Sequence, residues 1–511
     1  MESLAETQWD VIISGTGLSQ SLLALALSRS GKKVLHVDKN SYYGGPEAAL
    51  SLQEAEAWAS MVNQETSQFP FEDATIMSPS PSESSSRLSS RAYTLSLSPQ
   101  LIYSRSQLLP TLLSSKVYRQ LEFQAVGSWW IYNPTKSRDK DLYRVPSSRE
   151  DIFADDVLSM KSKRTLMRFL RNLNQSQTNQ GSTEANQGLE DEALAKPLSE
   201  YLSSKFQVTP DLYDPLLSLS LSQAPPQKTV ASYAVPRIQR HLASIGVFGP
   251  GFGSVLVKWG GGSEISQVGC RALAVGGGVY VLKSGVESVR QGEQNTENPR
   301  AQLCLCSGET VTTKYVVGSD WDLPAQSHLQ HDYNRVSRSI SIVSSSLDDL
   351  FPVTVESGPI PAGAVVVFPA LSLGLTDESP PVYISVHSSE TAECPSGQSV
   401  LYGSVSISGQ QGQSLIEGAV ERLLQSSAGS DAEVLWSLRY TQLGRPVDGN
   451  TRPVNAVSGN VIRFPAPSLD LSFDDSVIDL VKDAWTLVME NDASPEEFMK
   501  FTDRESYDDE E

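Results

Sequence analysis

WDVIISGTGLSQSLLALALSRSGKKVLHVDKNSYYGG, residues Trp9–Gly45, is the stretch that decides the fold of this chain. An apolar run, Val11–Ile13, is followed directly by Gly15 and Gly17, and then by leucines at helical spacing. A second apolar run ends at Asp38, ~20 residues after the glycines, as in dinucleotide-binding proteins. This order predicts a strand–helix–strand unit with parallel strands and an acidic residue at the end of the second strand.

The glycine fingerprint of a dinucleotide site is incomplete, because Gln20 stands where a third glycine is required. A glutamine side chain there would crowd the helix N-terminus, at which the phosphates of a cofactor bind. We therefore predict no FAD or NAD and a vestigial loop formed by Gly15, Gly17, Gln20 and Asp38. A FAD-dependent oxidoreductase is the alternative of another class, supported by the same glycines and Asp38.

Composition excludes several other function classes. The net charge of −20 argues against nucleic acid as a partner and against an electrostatic grip on anionic membranes. No apolar run reaches the about 18 residues of a membrane-spanning helix, and the acidic opening MESLAETQWD is unlike a signal peptide. The four cysteines form no CxxC pair and have no histidine cluster beside them, so we expect no metal site. Buried thiols and a reducing compartment are expected instead.

Two low-complexity segments interrupt the chain. Residues 78–90 are rich in serine and residues 174–192 in asparagine and glutamine, so neither can contribute to a core, and we expect exposed inserts. With 511 residues, the chain exceeds the size of one core. The predicted fold class is α/β, with a large FAD/NAD-binding-like (Rossmann-type) multi-sheet domain and a smaller, mainly helical domain. The expected bounds are 1–110 and 243–490 for the large domain, 111–242 for the helical domain, and 491–511 for an acidic disordered tail.

Two motifs carry a resemblance to a known family. The ending Asp38-x-Asn40-x-Tyr42-Tyr43-Gly44-Gly45 resembles the opening of the Rab GDP-dissociation inhibitor and Rab escort protein family. The glycine-rich stretch Ser244–Leu282 resembles the central motif of that family, although Val279 stands where the inhibitors have a polar residue. The segment LSPQLIYSRSQLL, residues 97–109, is more similar to the escort branch, and the chain is identified as a fungal-type member.

The resemblance implies a carrier that shares the fold of FAD-dependent oxidases without being a flavoenzyme. It implies binding of GDP-bound Rab GTPases, their presentation to the α/β heterodimer of Rab geranylgeranyltransferase, and delivery of the lipidated product to membranes in vesicular transport. It also implies a groove for the geranylgeranyl lipid in the helical domain, a cytoplasmic location with transient membrane contact, and no catalytic residue, cofactor or metal. A recycling GDP-dissociation inhibitor is the alternative within the family.

The Rab-binding residues that the resemblance implies come from two segments more than two hundred residues apart. The alternative is that these residues bind no partner, in which case Arg271 is an ordinary helix-surface residue and Tyr43 an ordinary turn residue. The candidate site residues are Tyr42, Tyr43, Glu264, Gln267, Arg271 and Tyr280.

Overall fold

The structure is a computed structural model. It describes residues 4–64, 70–78, 88–134, 141–146, 149–175, 192–292, 299–325, 333–353, 358–427, 432–445 and 452–502. Most of both expected inserts, and the end of the expected acidic tail, lie outside the described residues.

Helices and strands are numbered here in chain order. The helices are α1 (Leu18–Leu27), α2 (Leu52–Val62), α3 (Leu108–Ser114), α4 (Arg149–Ala154), α5 (Met160–Gln175), α6 (Leu198–Phe206), α7 (Tyr213–Ser220), α8 (Ala231–Ser244), α9 (Gly262–Val275), α10 (Gly409–Ser427) and α11 (Ser476–Met489). The strands are β1 (Gln8–Ser14), β2 (Val34–Asp38), β3 (Ala49–Leu50), β4 (Phe71–Met77), β5 (Leu95–Ser96), β6 (Ile102–Tyr103), β7 (Phe123–Tyr132), β8 (Leu142–Arg144), β9 (Ser254–Val257), β10 (Val279–Leu282), β11 (Val286–Arg290), β12 (Ala301–Leu305), β13 (Thr310–Ser319), β14 (Asn334–Val343), β15 (Gly363–Phe368), β16 (Val382–Ser388), β17 (Ser399–Val405), β18 (Val434–Gly444), β19 (Ala456–Ser458) and β20 (Val461–Phe464).

The predicted strand–helix–strand unit is confirmed. Strands β1 and β2 pair in parallel, with Val11 opposite Val34 and Ile13 opposite His36. The turn into α1 needs Gly15, which has φ of +89° and would place a Cβ 2.4 Å from the Asp322 carboxylate. This unit therefore depends on glycine both for its backbone conformation and for space.

The first sheet is built outward from that unit. Strand β10 pairs in parallel with β2 at one edge, and β13 pairs in parallel with β1 on the other side. Strands β12 and β13 form an antiparallel hairpin, and β20 pairs in parallel with the end of β13. The carboxyl ends of β1, β2 and β13 meet at one rim, which is where ligands bind in open α/β sheets.

The second sheet has the strand order β4-β18-β14-β17-β16-β15-β7-β9-β6, with β8 paired to β7. Most of its pairs are antiparallel, whereas β15 and β7 run in parallel. Helices α5 to α8 cover one face of this sheet and share a core with it. That core includes Phe169, Leu202 and Ile238 from the helices and Trp129, Val365 and Tyr383 from the strands.

The lower bound expected for the helical domain differs from the structure. Strand β7 pairs with both β9 and β15, so residues 123–132 belong to the second sheet. Helix α3 crosses the expected boundary at residue 110 and packs with α1 and α11. The described helical unit instead begins at Arg149. Strand β7 lies close to the helices in sequence, but its long-range strand pairs make it part of the second sheet.

Helix α9 lies directly against α1, and glycines make the close approach possible. A Cβ on Gly269 would lie 2.6 Å from the Ser21 carbonyl oxygen, and one on Gly276 would lie 1.7 Å from that of Ser28. Gly269 and Gly276 are seven residues apart, as are Ser21 and Ser28, and seven residues make about two helical turns. The same faces of the two helices therefore meet twice. This contact fixes α9 beside the β1–α1–β2 unit. None of the described helices has the length and apolar character needed to cross a bilayer.

Candidate functional site

The two segments singled out in the sequence meet at the edge of the first sheet. Tyr280 lies on the edge strand β10, opposite His36 of β2, and Tyr43 lies in the loop that follows β2. The Tyr43 hydroxyl donates to the Tyr280 hydroxyl at 2.7 Å, and the ring centroids are 5.9 Å apart. The structure therefore brings together two tyrosines that are 237 residues apart in sequence.

Helix α9 adds charged and polar groups to the same surface. Glu264, Gln267 and Arg271 are spaced by three and four residues, which places them on one face of the helix. Arg271 Nη2 lies 3.5 Å from Glu264 Oε1, and 54% of the arginine side chain is exposed against 14% of the glutamate side chain. Most of the guanidinium's surroundings are therefore solvent, and the group is available to a partner. We call Tyr43, Glu264, Gln267, Arg271 and Tyr280 the Tyr–Arg face.

The surroundings of Tyr43 on the Tyr–Arg face favour its neutral form. Burial and the hydrogen bond with Tyr280 raise the pKa of Tyr43, although nearby Arg271 acts in the opposite direction. Burial likewise raises the pKa of Glu264, opposed by Arg271. The surface thus offers phenol groups and one exposed guanidinium, which suit hydrogen bonding to carbonyl and carboxylate oxygens of a protein.

Tyr42 does not join the Tyr–Arg face. Its side chain packs against the core cluster around Trp58, Phe71 and Tyr440, and burial raises its pKa. In this structure Tyr42 is a packing residue, and its role in binding stays a prediction that rests on the resemblance.

Sequence reasoning missed two exposed valines beside the Tyr–Arg face. Val275 ends α9 and is 73% exposed, and Val279 begins β10 and is 39% exposed. Val279 was noted only as a departure from the polar residue of the inhibitors. The positions of the two valines could have indicated their exposure. They flank the glycine turn at 276–278, and a connection between a helix and a strand is open to solvent. Val275 continues the face of α9 that carries Arg271. Val279 lies on the opposite side of β10 from Tyr280, because adjacent residues of a strand alternate.

Side chains of the protein bind the groups at the start of α1 with which a dinucleotide would interact. At the start of α1, Glu47 Oε2 accepts a hydrogen bond from the Leu18 amide at 3.1 Å. Gln20 Nε2 donates to Asp322 Oδ2 at 2.8 Å, and the Asp322 carboxylate lies against Gly15. The first amide of this helix N-terminus already has an acceptor in the protein and is not free for a pyrophosphate. The residues present therefore do not fit a bound FAD or NAD.

The carboxyl groups at this position are strongly desolvated. Burial is the largest cause that raises the pKa of Glu47 to about 7 and that of Asp38 to about 6, and in Asp38 the nearby Asp322 adds to it. Gln20 was correctly singled out as a group that crowds the helix start. Glu47 and Asp322 were not, because only the folded chain brings them to α1.

Cysteine and metal predictions had different outcomes. Cys270 and Cys394 are buried as expected, but Cys304 is half-buried and Cys306 is exposed. The expectation of buried thiols was wrong for Cys306, because β12 ends at Leu305 and the chain enters a turn. Within the described ranges, no group of three or more His, Cys, Asp or Glu side chains could hold a metal ion.

Comparison with known proteins identifies the family. The family profile described as GDI, GDP dissociation inhibitor, matches residues 5–421. The protein named Rab proteins geranylgeranyltransferase component A from Saccharomyces cerevisiae is 30% identical over 438 residues. That match covers 83% of this chain and 67% of the yeast protein, so the chain spans about two thirds of that relative's length.

Solved structures share the fold. A Rab GDI from Plasmodium falciparum superposes with a TM-score of 0.63 at 18% identity, covering 94% of this chain and 97% of that one. An oxidoreductase from Methanosarcina mazei has a TM-score of 0.57 at 13% identity, covering 93% and 99%. These likenesses confirm the predicted FAD/NAD-binding-like fold. Because the family profile matches most of its length, the chain belongs to the GDP dissociation inhibitor family.

Proposed function

We propose that this protein is a Rab escort protein, which binds GDP-bound Rab GTPases and presents them to Rab geranylgeranyltransferase. The observation that carries the proposal is the Tyr–Arg face, where two distant segments form one exposed surface with the guanidinium of Arg271 at its centre. The name of the yeast relative, component A of the transferase, supports the escort role over that of a recycling inhibitor.

The chemistry of the Tyr–Arg face suits the recognition of a folded protein. Tyrosine and arginine are the residue types that most often anchor protein interfaces, because they combine large contact area with directed hydrogen bonds. Arg271 can bind a carboxylate or backbone carbonyls of the Rab in a forked geometry. Val275, on the same face of α9 as Arg271, can cover apolar groups of the Rab at the rim.

The helical unit is the proposed carrier of the lipid. A geranylgeranyl chain exposed to water is costly, at ~0.8 kcal/mol for each CH₂ that could be buried, so a water-soluble carrier must cover it. We place this groove in helices α5 to α8, as the family resemblance implies. Under this proposal the protein works in the cytoplasm and contacts membranes transiently, and it performs no covalent step as the accessory subunit of the transferase.

A reconstituted prenylation reaction tests this function. The components are this protein, a GDP-bound Rab, the α/β transferase and geranylgeranyl diphosphate. Transfer that depends on this protein supports the escort role. Tight binding of prenylated Rab without any stimulation of transfer would favour a recycling inhibitor, and a flavin absorption band in the purified protein would favour an oxidoreductase.

A further inference from the structure

A buried hydrogen-bonded node lies where β2 ends, directly behind the Tyr–Arg face. Asp38 Oδ2 accepts from the Thr16 amide at 2.7 Å and from the Thr16 hydroxyl at 2.6 Å, while Oδ1 accepts from the Asn40 amide at 2.7 Å. Thr16 and Asp38 are each only 1% exposed. In dinucleotide-binding proteins the equivalent acidic residue bonds the ribose of the cofactor. Here the same carboxylate bonds the chain itself.

The node holds the loop that carries Tyr43. The Thr16 hydroxyl, which donates to Asp38, also accepts a hydrogen bond from the Gly44 amide at 3.1 Å. Gly44 has φ of +96°, so the chain turns sharply directly after Tyr43. The Gly44 amide also donates to the Thr16 carbonyl at 3.2 Å, so the hydroxyl and the backbone of Thr16 together hold the turn that follows Tyr43.

The same node holds the strand that carries Tyr280. The Ser284 amide donates to the Asp38 carbonyl at 2.7 Å, and the Lys283 amide donates to the Asn40 carbonyl at 2.9 Å. Leu282 is paired with Asp38 in the sheet. Both tyrosine-bearing segments are thus tied to Asp38 and its neighbours, although neither Thr16 nor Asp38 reaches the surface.

We propose that Thr16 and Asp38 are positioning residues for partner binding, which hold Tyr43 and Tyr280 at the separation that a Rab recognises. This inference rests on the proposed function. Its physical basis is preorganisation: a surface fixed before binding loses less conformational entropy when the partner docks. The remnant of a cofactor site thereby serves a protein interface.

The test compares three proteins by calorimetric titration with GDP-bound Rab: the full-length parent, Thr16→Val and Thr16→Ser. Valine has the shape of threonine but lacks the hydroxyl, whereas serine keeps it. Loss of one buried hydrogen bond should weaken Rab binding about tenfold in Thr16→Val, while Thr16→Ser should bind like the parent protein. Thr16→Ala, which also lacks the hydroxyl, replaces Thr16→Val if that variant does not fold.

A double-mutant cycle with Tyr43→Ala separates positioning from a general loss of stability. If Thr16 acts through Tyr43, Thr16→Val should cause no further loss of affinity once Tyr43 is alanine. Additive losses, or a Thr16→Val protein that binds as well as the parent, would overturn the inference while leaving the proposed function intact. Failure of the parent protein itself to bind GDP-bound Rab would instead refute the proposed function.

Discussion

At the scale of single residues, the start of α1 shows how a dinucleotide loop is closed from within. Gln20 alone does not close it, because two carboxylates from distant parts of the chain lie beside it. Glu47 satisfies the Leu18 amide at the helix start, and Asp322 binds the Gln20 amide group. The position where a phosphate would bind is therefore occupied by carboxyl groups of the protein.

Restoring the missing glycine should not restore cofactor binding. Gln20→Gly leaves Glu47 and Asp322 in place, and Glu47 still binds the Leu18 amide that a pyrophosphate would need at the N-terminus of α1. The purified variant, incubated with FAD and passed through a desalting column, should show no flavin absorption. Stoichiometric flavin in the eluted protein would mean that Gln20 alone blocks the site.

At the scale of elements, the position of the Tyr–Arg face depends on how closely α9 approaches α1. The two helices touch at Gly269 and Gly276, where any side chain would strike a backbone carbonyl of α1. A backbone carbonyl cannot rotate away as a flexible side chain can. The whole helix would have to move, and it would take Glu264, Gln267 and Arg271 with it.

Gly269→Ala should therefore be strongly destabilising. A Cβ 2.6 Å from the Ser21 oxygen requires α9 to shift, at a cost of about 1–3 kcal/mol for an overpacked core, measured as a lower midpoint of thermal unfolding. The matched control is Gly418→Ala inside α10, where the nearest obstacle is the mobile end of Arg422. That variant should unfold at the same temperature or slightly higher, since alanine favours helices. Equal midpoints for both variants would contradict the packing account.

The difference between local and long-range information explains what the sequence could predict. The β1–α1–β2 unit was predictable because its glycines and apolar spacing act within about forty residues of chain. The contact between Tyr43 and Tyr280 came from the family resemblance, since no local pattern joins two such distant segments. Glu47, Asp322 and the membership of β7 in the second sheet were missed for the same reason.

At the scale of the whole molecule, one segment joins the helical unit to the sheets. Asp470 is buried and forms an ion pair with Arg237 of α8, and Arg240 of the same helix donates to the Ser472 hydroxyl at 2.7 Å. The Leu469 carbonyl accepts from Arg338 of β14 at 2.9 Å. The proposed lipid carrier and the sheet beneath it are therefore held together through residues 469–472.

Removing the charge of Asp470 should lower the free energy of unfolding. Asp470→Asn leaves two arginines without their buried carboxylate, which typically costs about 3–5 kcal/mol in urea denaturation. Asp479→Asn is the matched control, because its pair with Arg452 is exposed and should contribute less than about 1 kcal/mol. A similar small effect in both variants would show that the Asp470 pair does not hold the units together.

The loss in Asp470→Asn should also depend on pH. Burial alone would raise the pKa of Asp470, but Arg237 and Arg240 lower it below its ordinary value. A carboxylate whose pKa is lower in the folded state stabilises the protein above its ordinary pKa, and that stabilisation disappears as the pH falls through the folded value. The difference between the parent protein and Asp470→Asn should therefore be largest at neutral pH and shrink in acid.

The central claim is that Arg271 anchors a GDP-bound Rab on the Tyr–Arg face, and calorimetric titration of the Rab into Arg271→Ala tests it most directly. The control is Arg335→Ala, which removes an exposed arginine paired with Glu72 on β4, away from this face. Arg271→Ala should lose about 2 kcal/mol of binding free energy, roughly thirtyfold in affinity, with little change in its thermal midpoint. Arg335→Ala should bind like the parent protein. An Arg271→Ala protein that binds GDP-bound Rab as tightly as the parent would contradict the account.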